Sequence, residues 1–129
     1  HAVFGSFIIL SRMEDMALLR AEALTMLNRS EDAVAYLNTV RNLRGLVTLS
    51  YEKDLSKGGA ELLLKEIFNE RRRELMGEGH YWFDQIRRAR ILGDNPEMVE
   101  LVNSGKIYWP VADDVLKANP EITQNECWK

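Results

Sequence analysis

Three groups of side chains in this sequence are of types that could do chemistry. Glu66, Glu70 and Glu74 fall on one line of a helix at steps of four, with Arg73 one turn from Glu70. Paired carboxylates are common general acid–base machinery. Three glutamates in a row repel one another unless cations intervene, however, and neighbouring arginines are placed to do so. A structural ion-pair network is therefore expected, and no catalytic residue is assigned. His80 and Asp84 stand four apart with Glu78 near, which sketches a metal site. That sketch lacks a second histidine and any H-E-x-x-H pattern, so neither a metal nor a cofactor is expected, and His80 should hydrogen-bond at a glycine corner. Tyr81, Trp82, Tyr108 and Trp109 could stack on the apolar C–H face of a pyranose, although aromatic rings more often pack in cores. Trp82 is expected in the core, and Tyr108 and Trp109 are the candidate ligand contacts. Gly77-Glu78-Gly79 is too short for a phosphate loop or a nucleophile elbow.

These residues need a helical frame. Leu64, Ile67, Phe68, Arg71 and Leu75 share one side of a helix expected over about Ala60 to Met76. Gly77 and Gly79 suit its stop and a sharp re-entry into a second helix over about Tyr81 to Arg90. That second helix is expected to bring Trp82, Phe83 and Ile86 onto the first. Upstream, residues 1 to 10 read as extended. Ser11-Arg12-Met13-Glu14 fits a capping box for a well-buried helix to about Leu27. In it, Ala17 and Ala21 would admit a close neighbour. Ser30-Glu31-Asp32 should cap the next helix, which turns Val34, Leu37 and Val40 inward and ends at Arg44-Gly45. The pair forms an antiparallel hairpin of the tetratricopeptide kind, without a second copy at a fixed period. Leu46 to Gly59 reads as a loop, with an extended piece at Leu46 to Leu49. Asp94-Asn95-Pro96-Glu97 starts a short helix that stops near Gly105. Ile107 to Val111 reads as extended, with Pro110 excluding a central strand. Asp113 or Asp114 should cap a last turn before a tail rich in turn formers.

The totals narrow the class. The chain has 129 residues, 46% hydrophobic and 29% charged, with three prolines, which fits one mostly all-α globular domain. A net charge of −3 argues against a nucleic-acid binder that neutralises phosphates. A single cysteine, Cys127, can form neither an intrachain disulfide nor a zinc cage. No apolar run approaches the roughly 20 residues that cross a bilayer, and Phe7-Ile8-Ile9-Leu10 lacks the basic flank of a signal peptide. The chain opens on His1, which points to a processed or truncated product.

Four segments together resemble a known family. They are Arg12 to Ala23, read as R-x-x-(D/E)-x-x-L-x-x-A-E-A; Ala35 to Arg41, read as x-x-L-N-x-V-R; Glu70-Arg71-Arg72-Arg73-Glu74-Leu75 with Glu78-Gly79-His80, Trp82-Phe83-Asp84 and Arg87-Arg88; and Ile107 to Val111 with Asn119-Pro120 and Gln124-Asn125. In this order they are similar to the C-terminal region of the SusD/RagB family of outer-membrane nutrient-binding lipoproteins of Bacteroidetes. Two positions depart from the pattern: Glu126-Cys127-Trp128 stands where proline and glycine commonly follow Gln-Asn, and Tyr81 where arginine is frequent.

The resemblance implies that residues 1–129 are one irregular helical domain, a C-terminal fragment of a longer protein. It implies tetratricopeptide-like hairpins, extended C-terminal loops and surface exposure at the outer membrane through an N-terminal lipid anchor lying outside this chain. It also implies a glycan or peptide ligand and a SusC-like TonB-dependent transporter as partner, with this part mainly helical scaffold. No ligand-binding residue is carried over from the family. The alternative expectation is a tetratricopeptide-like adaptor that docks a partner protein in a helical groove. A hydrolase using the glutamates beside the glycine corner is a third.

Overall fold

The computed structural model describes residues 11–129. The extended lead-in and the apolar run Phe7 to Leu10 lie outside the described residues. Six α-helices follow one another: α1 (Met13–Met26), α2 (Ser30–Leu43), α3 (Gly59–Glu74), α4 (Tyr81–Leu92), α5 (Pro96–Asn103) and α6 (Asp113–Ala118). A π turn at Tyr51–Leu55 and a 3-10 turn at Glu126–Trp128 complete the regular structure, and no strand occurs among the described residues. The all-α expectation holds. The chain divides into two compact units, one through His80 and one from Tyr81 to Lys129.

In the first unit α1 and α2 form the expected antiparallel hairpin, and α3 packs against both. Leu18, Ala21 and Leu24 of α1, Val34, Leu37 and Val40 of α2, and Leu63 and Ile67 of α3 make one core, with Ala17 against its edge. This is the inward face read from the apolar spacing. Both hairpin helices end alike. Asn28 takes φ +58 while the Arg29 amide donates to Leu24 O and the Asn28 amide to Thr25 O. Gly45 takes φ +68 while the Leu46 amide donates to Arg41 O and the Gly45 amide to Asn42 O. These paired bonds satisfy carbonyls that a helix end otherwise leaves bare.

Several local expectations are corrected. The capping box at Ser11 does not form: Arg12 is the N-cap, and the Ser11 hydroxyl donates to Asp15 at 3.2 Å instead. Glu14 is drawn away by Arg44, 3.5 Å from it. Ser30 lies inside α2, whose N-cap is Arg29, and Asp32 pairs with Arg29 at 2.7 Å. α1 is less enclosed than its composition suggests, since Met13, Met16 and Met26 are exposed. Within the expected loop, the π turn buries Leu55. Leu49 joins no strand. Its amide donates to the Asn38 side chain at 2.9 Å and its carbonyl accepts from the Asn38 amide group at 2.8 Å, so one side chain does the work of a ladder partner.

In the second unit α4 packs with α5. Asn95 caps α5 by accepting from the Met98 amide at 3.2 Å, with Pro96 at the first helical position, as the sequence predicts. Trp82 is not a core residue: it is 37% exposed, and its neighbour Phe83 67%. Both sit in the first turn of α4, whose buried residues are Asp84 and Ala89. Ile107 is buried in a turn, so of the segment expected to be extended only Trp109 to Val111 lies outside turns and helices. Neither Asp113 nor Asp114 caps α6, since Ala112 is its N-cap and Asp113 its first residue.

Candidate functional site

The carboxylates that could have been catalytic lie in the first unit, and each of those in the core is met by guanidinium. Arg71 projects from the apolar face of α3, is 2% exposed, and donates to Asp15 of α1 at 2.8 Å. Glu70, equally buried, accepts from Arg41 of α2 at 2.9 Å and from Arg73 one turn along at 2.7 Å. Glu74 accepts from Arg12 at 2.9 Å and from both Nε and Nη2 of Arg44, at 2.8 and 2.6 Å. Arg12 reaches on to Glu78 at 2.7 Å and also donates to the Glu74 carbonyl at 2.8 Å. Glu66 pairs with no cation among the described residues, so the network takes two of the three aligned glutamates. No buried side-chain nitrogen or oxygen among the described residues lacks a partner.

The electrostatics follow from this geometry. Two hydrogen bonds from Arg44, reinforced by Arg12, outweigh burial and hold the Glu74 carboxyl below its usual range. Burial pushes Asp15 up, but the Arg71 bond and charge, with help from Ser11 and His80, more than offset it, and the net shift is downward. The partners move the other way: Arg12 is raised by Glu78 and Glu74, and Arg44 by Glu74. A general acid needs a carboxyl raised toward neutrality. Glu74 and Asp15 are pulled in the opposite direction, and each is held by arginine, with Ser11 on the second Asp15 oxygen. Such groups join helices and have no proton to give.

The residues sketched for a metal are divided. Glu78 is taken by Arg12, and Asp84 accepts from Arg87 at 3.0 Å. No group of three or more His, Cys, Asp or Glu positioned for a metal occurs among the described residues.

In the second unit the candidate ligand contacts stand on an unusual support. Tyr108 is 61% and Trp109 81% exposed. Their backbone is gripped by side chains of the tail. The Trp128 indole N–H donates to Tyr108 O at 2.7 Å, and Asn125 donates to Trp109 O at 2.7 Å. Gln124 accepts from the Val111 amide and donates to the Val111 carbonyl, both at 2.9 Å. Cys127 Sγ lies 3.3 Å from Gly105 O, and Lys106 sits over the Trp128 ring. Nearby in sequence, Arg88 holds Asp94 through two nitrogens, at 3.0 and 2.6 Å, which raises the Arg88 pKa.

Sequence reasoning missed the long-range partners Arg12, Arg41 and Arg44, because pairing across 29 to 66 positions has no local period. Two of the three were nonetheless present in the quoted motifs: Arg12 opens the first and Arg41 closes the second.

One open groove lies on the hairpin. It holds about 230 Å³ and is lined chiefly by Met13, Met16, Ala17, Tyr36 and Leu43, with the Arg20 guanidinium 4.5 Å from the centre of the Tyr36 ring.

Comparison with known proteins decides the family. The SusD family profile matches residues 6–128. This chain belongs to the SusD family. A SusD-like protein P38 from Formosa agariphila is 32% identical over 124 residues, covering 92% of this chain and 24% of that protein. The crystal structure of a SusD superfamily protein from Bacteroides thetaiotaomicron superposes with a TM-score of 0.87 at 54% identity, covering 98% of this chain and 28% of that one. The chain thus spans about a quarter of the length of these SusD relatives. The helical fold described above is the SusD fold of this region, and the resemblance read from the four motifs holds.

Proposed function

We propose that this chain is the C-terminal, mainly scaffolding part of a longer SusD-family protein that binds glycan or other nutrient at the cell surface. In this reading the protein sits on the outer membrane by an N-terminal lipid anchor and passes its ligand to a SusC-like TonB-dependent transporter. It performs no catalysis. The observation that carries the reading is the family match over residues 6–128. The guanidinium-paired carboxylates Glu70 and Glu74 of α3 agree with it, since arginines from elsewhere in the chain hold them. Tyr108 and Trp109 are the residues of this chain proposed to reach ligand.

The test is affinity electrophoresis of the intact protein through gels containing single polysaccharides, beside a membrane pull-down. Retardation by at least one glycan, with a large barrel transporter recovered alongside, supports the reading. Migration unaffected by every glycan and peptide tried, with no transporter recovered, overturns it. The adaptor reading is favoured by one observation, the apolar groove between α1 and α2. It requires that a Met16→Glu or Leu43→Glu substitution there abolish capture of a protein partner while leaving the helical spectrum intact.

A further inference from the structure

The tail and the stretch after α5 meet by side chain on one side and backbone on the other. Gln124, Asn125, Cys127 and Trp128 each reach a main-chain atom between Gly105 and Val111. As the tail runs from 124 to 125 to 128, the residues it meets run back from 111 to 109 to 108. That is the order of an antiparallel ladder, with side chains standing in for one strand. The tail's own backbone is occupied locally. The Asn125 amide donates to the Gln124 side chain, and the Trp128 amide to Asn125 O, each at 2.9 Å. Gln124 is therefore the busiest member. Its oxygen accepts from the Val111 and Asn125 amides while its nitrogen donates to Val111 O.

Bringing the two stretches together costs loop entropy once, and that cost grows only slowly with the length enclosed. The shortest closure is the double bond between Gln124 and Val111, 13 positions apart. Once it stands, Asn125, Cys127 and Trp128 lie on the same short turn and close at little further entropic cost. One hydrogen bond exchanged against water nets too little to hold such a loop shut, whereas several closing together suffice. A half-closed tail is thus poorer than either end state. We infer that residues 124–128 are a strap that closes on residues 105–111 in a single step, with Gln124 as its latch. Every contact of the strap lies inside the chain and needs no free surface. Opening releases the stretch 105–111 as one body, while α4 and α5 stay packed on each other.

The test is hydrogen exchange of the intact protein, resolved to single amides by mass spectrometry, with Gln124→Ala and Trp128→Phe beside the parent. In the parent, the Val111, Asn125 and Trp128 amides should share one opening equilibrium, reached more readily than that of the α1–α3 core. Gln124→Ala should speed exchange at all three about tenfold, the Trp128 amide included, although Gln124 makes no bond to it. Trp128→Phe keeps a ring but deletes the donor to Tyr108 O, and it should speed exchange at Val111 several-fold from the far end of the strap. Exchange in α1, α2 and α3 should match the parent in both variants. Three amides that open with separate equilibria in the parent refute the strap whatever the variants do. So do variants that speed only the amides they touch. Protection of all three equal to that of the core also overturns it, because the tail then opens only when the whole domain unfolds.

Discussion

The buried pair Arg71–Asp15 offers the sharpest test of the scaffold. Arg71 is 2% and Asp15 6% exposed, and their 2.8 Å bond joins α3 to α1 across the core. Arg71→Met keeps the length and much of the volume of the side chain but leaves Asp15 charged, enclosed and without its main partner. Removing one member of such a pair costs about 3–5 kcal/mol, because the penalty is the uncompensated charge and not the bond alone. A domain of this kind holds only about 5–15 kcal/mol in total, so the loss is a large fraction of its stability. At about 4–8 °C per kcal/mol for a unit of this size, the melting temperature should fall by more than about 12 °C. The companion is Arg71→Met with Asp15→Leu, which removes both charges and should recover most of the loss. Urea titration followed by far-ultraviolet circular dichroism gives the midpoint and the slope for all three proteins. A single variant that loses under about 1 kcal/mol, or a double variant no better than the single, would refute the account of this pair as a mutually compensated ion pair.

Three further outcomes are expected. The carboxyl pKa values of Asp15 and Glu74 are depressed in the folded state, so the stability they contribute is present above the ordinary carboxylate range and is lost as pH falls through the folded values; unfolding midpoints should drop steeply below about pH 4, and less steeply in Glu74→Gln. Asn38→Ala removes both bonds to Leu49 and should cost about 1–3 kcal/mol, with loss of exchange protection at the Leu49 amide seen by hydrogen-exchange NMR. Gly45→Ala meets open space but must hold φ +68, so a cost of about 1 kcal/mol in urea midpoint should appear without any change in packing.

Local physics made much of this fold legible. The apolar face of α2, the glycine ending at Gly45 and the Asn95-Pro96 start are all set within a few residues, and they stand as read. What failed was decided by competition at a distance. Ser11 and Glu14 have the letters of a capping box, but Asp15 and Arg44 outbid the local partners. Trp82 has the composition of a core residue, yet it falls in the exposed first turn of its helix. The spacing of Glu70 and Glu74 identified a charged line and implied arginine partners on the same helix. Arg73 is one, but Arg12, Arg41 and Arg44 come from elsewhere in the chain, and only the folded hairpin brings them within reach.

The tail grips its segment by peptide atoms alone. Gln124, Asn125 and Trp128 never touch the side chains of Val111, Trp109 or Tyr108 through those bonds, only their carbonyls and one amide. A support built this way is indifferent to what it displays. The side chains at 108, 109 and 111 take no part in these bonds, so replacing them should leave the mounting in place.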